Sequence, residues 1–234
     1  MRPVDRGSWP VDAQSSLPVD LNKYGDAKPH LERRIGLYCS YCELRIENLP
    51  AVEHVFPKTS HGDLELVWSN FLFACGSCNS IKGHRDISLG DYVWPDRDNT
   101  ARAFAYREGG VVAVAPDVPQ ALRPRANRTI ALVGLDRTPA SRVPATDADR
   151  RWRLRDEAFG MASRAKRRLR RRDDADLREQ IVETACHAGF WSIWMTVFSD
   201  DPDMRCRLIA AFPGTSRECF DAQGCAVPRP GGML

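Results

Sequence analysis

No stretch of this 234-residue chain approaches the roughly 18 consecutive apolar residues that a membrane-spanning helix needs. The opening residues, Met-Arg-Pro-Val-Asp-Arg-Gly, are too polar for the apolar core of an export signal. Together these absences lead us to expect a cytoplasmic protein with no membrane contact. Charge of one sign is scarce as well. The 34 Lys and Arg against 31 Asp and Glu leave a formal +3, too little by itself to point to a nucleic-acid partner. No internal repeat is visible. In a reducing compartment, eight cysteines read as metal ligands, redox groups or free thiols before disulfides. What remains, 43% hydrophobic and 28% charged residues, suffices for a soluble core in one large domain or two small ones.

The chain divides into three. Residues 1–30, rich in Pro, Asp and Ser with isolated Trp9 and Tyr24, read as an extended arm, mobile or laid across the rest. Residues 31–145 hold both close cysteine pairs. They continue into two β-type runs, Ala103–Tyr106 and Val111–Val114, around the hairpin signal Gly109-Gly110. Pro116, Pro119 and Pro124 then suggest a loop. Residues 146–234 read as helical. Leu154, Ala158, Ala162, Ala165 and Leu169 make one apolar stripe, and a second helix is expected from Asp174 to His187, with Gly189 as its stop. The apolar run Phe190–Phe198 reads as a core helix, and a fourth helix follows Asp201-Pro202 and ends before Pro213-Gly214.

Cys39-Ser-Tyr-Cys42 and Cys75-Gly-Ser-Cys78 are both C-x2-C pairs. Each such turn presents two sulfurs from one tight loop, and two turns close a tetrahedral four-thiolate site with no open position. A structural zinc is therefore expected, with a redox pair or coincidental spacing as the other readings. The 32 residues 43–74 between the pairs exceed the roughly 15–20 usual for such sites, so they must hold structure of their own. Cys186, Cys206, Cys219 and Cys225 lack such spacing and are expected as buried or partly buried thiols.

That insert reads Val52-Glu53-His54-Val55-Phe56-Pro57-Lys58, then Trp68-Ser69-Asn70-Phe71, and the second pair continues as Cys78-Asn79-Ser80-Ile81-Lys82-Gly83. Over about residues 37–83 this resembles the HNH endonuclease family. Its pattern is C-x2-C, an acid before His, then Asn, then C-x2-C followed by His or Asn, then Lys. The resemblance implies an α+β chain: a ββα-metal core on a four-cysteine zinc knuckle, followed by a β-hairpin segment and a C-terminal helical region. It also implies roles. His54 is the general base, Glu53 and Asn79 hold a catalytic Mg²⁺ or Mn²⁺, Asn70 ties the loop that aims His54, and Lys82 contacts a phosphate. Asn79 stands where the family's final His often is. The residue types suit the chemistry, since a neutral imidazole accepts a proton from water near pH 7 and hard oxygen donors favour Mg²⁺ or Mn²⁺. His61 is left over as a solvated loop residue, and His84 has no required role.

Lys166-Arg167-Arg168-Leu169-Arg170-Arg171-Arg172 concentrates positive charge on the first of the predicted helices. Arg167, Arg168 and Arg171 are candidates for nucleic-acid contact, with a solvated face or an acidic protein partner as alternatives. The arm Met1–Val4, the segment Tyr92–Thr100 and the run from Phe190 to Thr215 widen the resemblance. It extends to the HNH component (PtuB-like) of Septu-type and retron-associated antiphage defence systems. That family's nucleases imply a DNA substrate and an ABC/SMC-like ATPase partner. A rival reading of the same motifs is a non-catalytic zinc-knuckle module that binds nucleic acid or bridges a complex.

Overall fold

Two arginines fasten the N-terminal arm to the rest of the chain. In the computed structural model, which describes residues 1–48 and 50–234, Arg2 is 4% exposed. It donates to the Ile35 carbonyl at 2.8 Å and to Thr215 Oγ1 at 3.0 Å. Arg6 donates to the Phe71 carbonyl at 3.1 Å and pairs with Asp96 at 2.7 Å. The arm therefore lies across the molecule, bridging segments more than 200 residues apart in the chain. It ends in α1 (Lys28–Ile35), which Pro29 opens and Gly36 closes.

β1 (Ala51–His54) pairs antiparallel with β2 (Phe71–Ala74), His54 opposite Phe71 and Val52 opposite Phe73. All four residues of β2 are buried, so this strand is covered on both faces. α2 (Gly76–Lys82) follows at once. Its N-cap is Cys75, whose sulfur accepts from the Cys78 N–H, and Gly83 at φ 58° ends it. The order is thus strand, strand, helix, with Cys75 at the corner.

After the four-residue α3 (Thr100–Ala103), β3 (Phe104–Arg107) pairs with β4 (Val111–Val114) about the expected Gly109-Gly110 turn. Gly110 has φ 67°, and a Cβ there would come within 2.0 Å of the Trp152 carbonyl, so only glycine lets the helix beyond approach so closely. The proline-rich stretch is not all loop. α4 (Arg123–Val133) begins with Pro124 in its first turn, where the missing N–H has no partner to lose, and a proline read as a breaker is in fact a starter.

The helical region matches its sequence pattern closely. α5 (Arg151–Arg171) buries Ala158, Ala162 and Leu169. α6 (Ala175–Ala188) is capped by Asp174, whose carboxylate accepts from the Leu177 N–H at 2.8 Å, and Gly189 stops it. α7 (Trp191–Val197) carries the apolar run, and α8 (Pro202–Ala211) is capped by Asp201 with Pro202 in its first turn. Two apolar cores result. One gathers the arm, both cysteine pairs, both hairpins and α4; the other lies among α5 to α8. α5 serves both, through Ala158 and through Ala162 and Leu169 respectively. Among the described residues, no helix is long and apolar enough to cross a membrane.

Candidate metal centre and active site

The sulfurs of Cys39, Cys42, Cys75 and Cys78 lie within 4.8 Å of one another, and all four residues are buried. A zinc–sulfur distance of about 2.3 Å in a tetrahedron places neighbouring sulfurs about 3.8 Å apart. The Cys42 and Cys75 sulfurs sit 3.6 Å apart. Sulfhydryl donation from Cys39, Cys42 and Cys78 pulls the Cys75 thiol far down, while burial pushes Cys42 and Cys78 up. Four soft donors at this spacing fit zinc, with no position open to substrate. Of the other cysteines, Cys219 is buried and Cys186 partly so, but Cys206 and Cys225 are exposed, contrary to the expectation of burial. They sit on the outer side of α8 and in the C-terminal tail, which the apolar pattern did not reveal.

β1 ends at Glu53 and His54, both buried and both lining one cavity of about 450 Å³. Asn79 and Lys82 of α2 line the same cavity, so four of the expected site residues meet there. His54 is 9% exposed. Its Nε2 lies 2.9 Å from the Glu65 carbonyl, which can only accept, so Nε2 carries the proton and Nδ1 is left as the basic nitrogen. The ring packs edge-on between Tyr24 and Phe71, each with centroids 5.2 Å away. Burial lowers its pKa below the usual 6.5, with Lys58 and Lys82 adding to the effect and Glu65 opposing it.

Asn70 stands outside the cavity wall and behind it. At 3% exposure, its Oδ1 accepts from the Phe56 N–H at 2.7 Å. Its Nδ2 donates to the Phe56 and Leu64 carbonyls at 3.0 and 3.1 Å. One amide thus closes the loop 55–70 that supplies the Glu65 carbonyl to His54.

Lys82 differs from the surface cation that a phosphate contact calls for. It is 1% exposed, donates to the His54 carbonyl at 2.8 Å and lies 2.6 Å from Glu53 Oε1. That last contact is an ion pair off the hydrogen-bonding direction. Burial raises the Glu53 carboxyl above its ordinary range, and Lys82 only partly offsets this. Arg167, Arg168 and Arg171 are exposed on α5. His61 is partly exposed and paired with Asp86 at 2.9 Å, while His84 is exposed at the cavity mouth.

Two cavity residues escaped sequence reasoning. Tyr24 reaches the site from the arm, and Lys58 sits with its ammonium 4.4 Å from the Tyr24 ring centre. Nothing in the spacing links Tyr24 to a motif 30 residues on, although it was visible as an aromatic stranded in a polar arm.

No family model matches the chain. Over an aligned stretch of 74 residues, 29% of its length, the chain is 34% identical to the Septu protein PtuB of Bacillus thuringiensis. That stretch also covers 29% of the relative, so the two share less than a third of either length.

Proposed function

We propose that this chain is a metal-dependent HNH endonuclease that hydrolyses DNA phosphodiester bonds. Its core would be of the ββα-metal type, between an arm (1–30) and a helical region (146–234), within a nuclease unit spanning 31–145. One observation carries the reading: Glu53, His54 and Asn79 border a single cavity, with the basic nitrogen of His54 freed by the Glu65 carbonyl. In this reading His54 Nδ1 takes the proton of a water whose oxygen attacks phosphorus, and the bond to the 3′ oxygen breaks. Glu53 and Asn79 offer oxygen donors suited to Mg²⁺ or Mn²⁺. Such an ion would polarise the phosphate and stabilise the departing oxygen. Asn70 and Lys82 keep the strand end and the loop in register, and Lys82 meets a phosphate only if its pair with Glu53 opens.

The stretch resembling a Septu protein supports a role as the nuclease effector of an antiphage defence system, working with an ABC/SMC-like ATPase. For substrate binding we infer a stripe on α5. Arg164, Arg167, Arg168 and Arg171 recur at helical spacing and form no ion pair among the described residues. Arg153, Lys166 and Arg170 on the same helix, and Arg172 just past its end, are paired with carboxylates. Unpaired guanidinium groups about one turn apart suit phosphate oxygens.

A non-catalytic module is the second reading. It is favoured by the Lys82–Glu53 pair, which already neutralises the carboxylate that a metal would use. Cleavage of plasmid DNA with Mg²⁺ or Mn²⁺, alone and with the ATPase, decides between them. His54→Ala is expected to slow cleavage by about 10²–10⁴-fold while leaving DNA binding intact. Full activity in that variant, or no cleavage under any of these conditions, ends the nuclease reading. Replacing the four stripe arginines by Ala is expected to weaken duplex binding and flatten its salt dependence by about three to four units of slope. An unchanged slope removes the stripe.

A further inference from the structure

A zinc ion on four thiolates carries two negative charges in excess, and here every sulfur is buried. Buried charge is unfavourable unless neighbouring groups answer it. The answering groups come from the start of α5. Arg151 is 2% exposed and donates from Nη1 to the Cys78 sulfur, 3.0 Å away. Its remaining N–H groups are also occupied. Nε and Nη2 each reach an oxygen of Asp149 at 2.7 Å, and the Val133 and Gly134 carbonyls accept at 2.9 and 3.1 Å. A guanidinium has five N–H donors, and all five are spoken for, so its direction is fixed. One turn further, Arg155 is 1% exposed and held by the Gly110 and Leu135 carbonyls. It forms no ion pair among the described residues, and its Nη1 has no partner.

We propose that Arg151, clamped by Asp149, is a positioning residue of the metal centre. It caps the Cys78 thiolate and makes the seating of α5 depend on the bound zinc, with Arg155 adding the positive charge that Asp149 does not offset. An N–H···S bond draws charge from a zinc-bound sulfur, making it slower to take up a proton and leave the metal. The first cysteine pair is tied in likewise. Glu43, next to Cys42, accepts from the Ser192 N–H at 2.9 Å and from its hydroxyl at 2.6 Å, at the start of α7. Both pairs therefore hold a helix of the C-terminal region, and the metal that joins the pairs also joins those helices to the knuckle. The alternative is that Arg151 merely closes the end of α4 through Val133 and Gly134, with the sulfur incidental.

Zinc transfer to a chromogenic chelator separates the two. Arg151→Met is expected to bind one zinc but release it about 10–100-fold faster than the parent, the usual effect of losing such an outer partner. Arg151→Lys keeps a charge and one donor and should fall between. Arg153→Ala, on the exposed face of the same helix, should release zinc as the parent does. Hydrogen exchange on the unaltered protein gives an independent reading. Removing zinc should strip protection from the first two turns of α5 while α8 keeps its own. If Arg151→Met fails to fold, Asp149→Asn in the transfer assay and the exchange experiment still decide. Equal release rates, or α5 protection indifferent to zinc, would overturn the proposal, and so would protein that binds no zinc. None of these results depends on whether the cavity cleaves DNA.

Discussion

Cys78 and Asn79 are consecutive on α2, about 100° apart around the helix, and they face different surroundings. Cys78 is wholly buried among sulfurs, with a guanidinium behind it. Asn79 is half-buried on an open cavity bordered by a carboxylate, an imidazole and an ammonium. The sulfur site has every position filled by protein, so a metal there belongs to the fold. The cavity offers few donors and is open, so in the proposed function a metal there would be exchangeable. On the proposed reading, a single turn of helix would set a permanent site beside an exchangeable one, and whatever disturbs the first should also displace the second.

The largest effects should come from breaking that order. A brief exposure to EDTA is expected to abolish cleavage and leave the melting curve unchanged, with added Mg²⁺ restoring activity on mixing. Cys78→Ser should unfold the core that holds the cysteine pairs, leaving α8 in its own core, and should abolish activity with no rescue by Mg²⁺. Structural zinc contributes roughly 10–16 kcal/mol of apparent binding free energy in small zinc modules, comparable to the whole net stability of a domain. Zinc analysis and circular dichroism check this. A Cys78→Ser protein that melts normally and cuts DNA would show the two sites to be independent.

A smaller effect should appear at Asn70, which belongs to neither site but stabilises the loop behind His54. Asn70→Ala leaves the Phe56 N–H and two carbonyls without their partner, which should destabilise the protein by about 2–3 kcal/mol. Cleavage should fall further than the melting temperature implies, because the Glu65 carbonyl that sets the His54 tautomer is no longer held. Asn70→Asp can accept from Phe56 but cannot donate to either carbonyl, so it should restore little. Single-turnover rates measured well below the melting transition test this, and full activity in Asn70→Ala would remove the loop from the account.

Much of this was legible in the sequence because local rules and tertiary demands agreed. The two C-x2-C turns, the Gly109-Gly110 hairpin and the Asp174 and Asp201 caps each need only their own neighbours to be recognised. What escaped depends on distant parts of the chain. Tyr24 gains its meaning from His54, and Arg151 from Cys78, 73 residues earlier. In the sequence Arg151 is one of four arginines between positions 150 and 155, and spacing alone does not tell a buried, fully bonded arginine from a solvated one. Pro124 was misread for a different reason, since a proline stops a helix or starts one depending on where the turn before it ends. Lys82 shows the same limit at the cavity. Its place after Asn79 is visible in the sequence, but its turn inward to Glu53 is not.

The smallest expected effect tests the electrostatics of the open site alone. His54 must be neutral to accept a proton, and burial, aided by Lys58 and Lys82, keeps it neutral to lower pH than an ordinary histidine. Cleavage should therefore hold its rate as pH falls through the usual histidine range and decline only below it. Removing the Lys58 charge takes away one of the influences that favour the neutral ring, so in Lys58→Met the acid limb should move to higher pH. Because Lys58 is 42% exposed, water and salt screen it, and the shift should be slight and shrink as ionic strength rises. Zinc content and melting should not change. A pH–rate profile of Lys58→Met that coincides with the parent at low salt would mean that burial alone sets the basicity of His54.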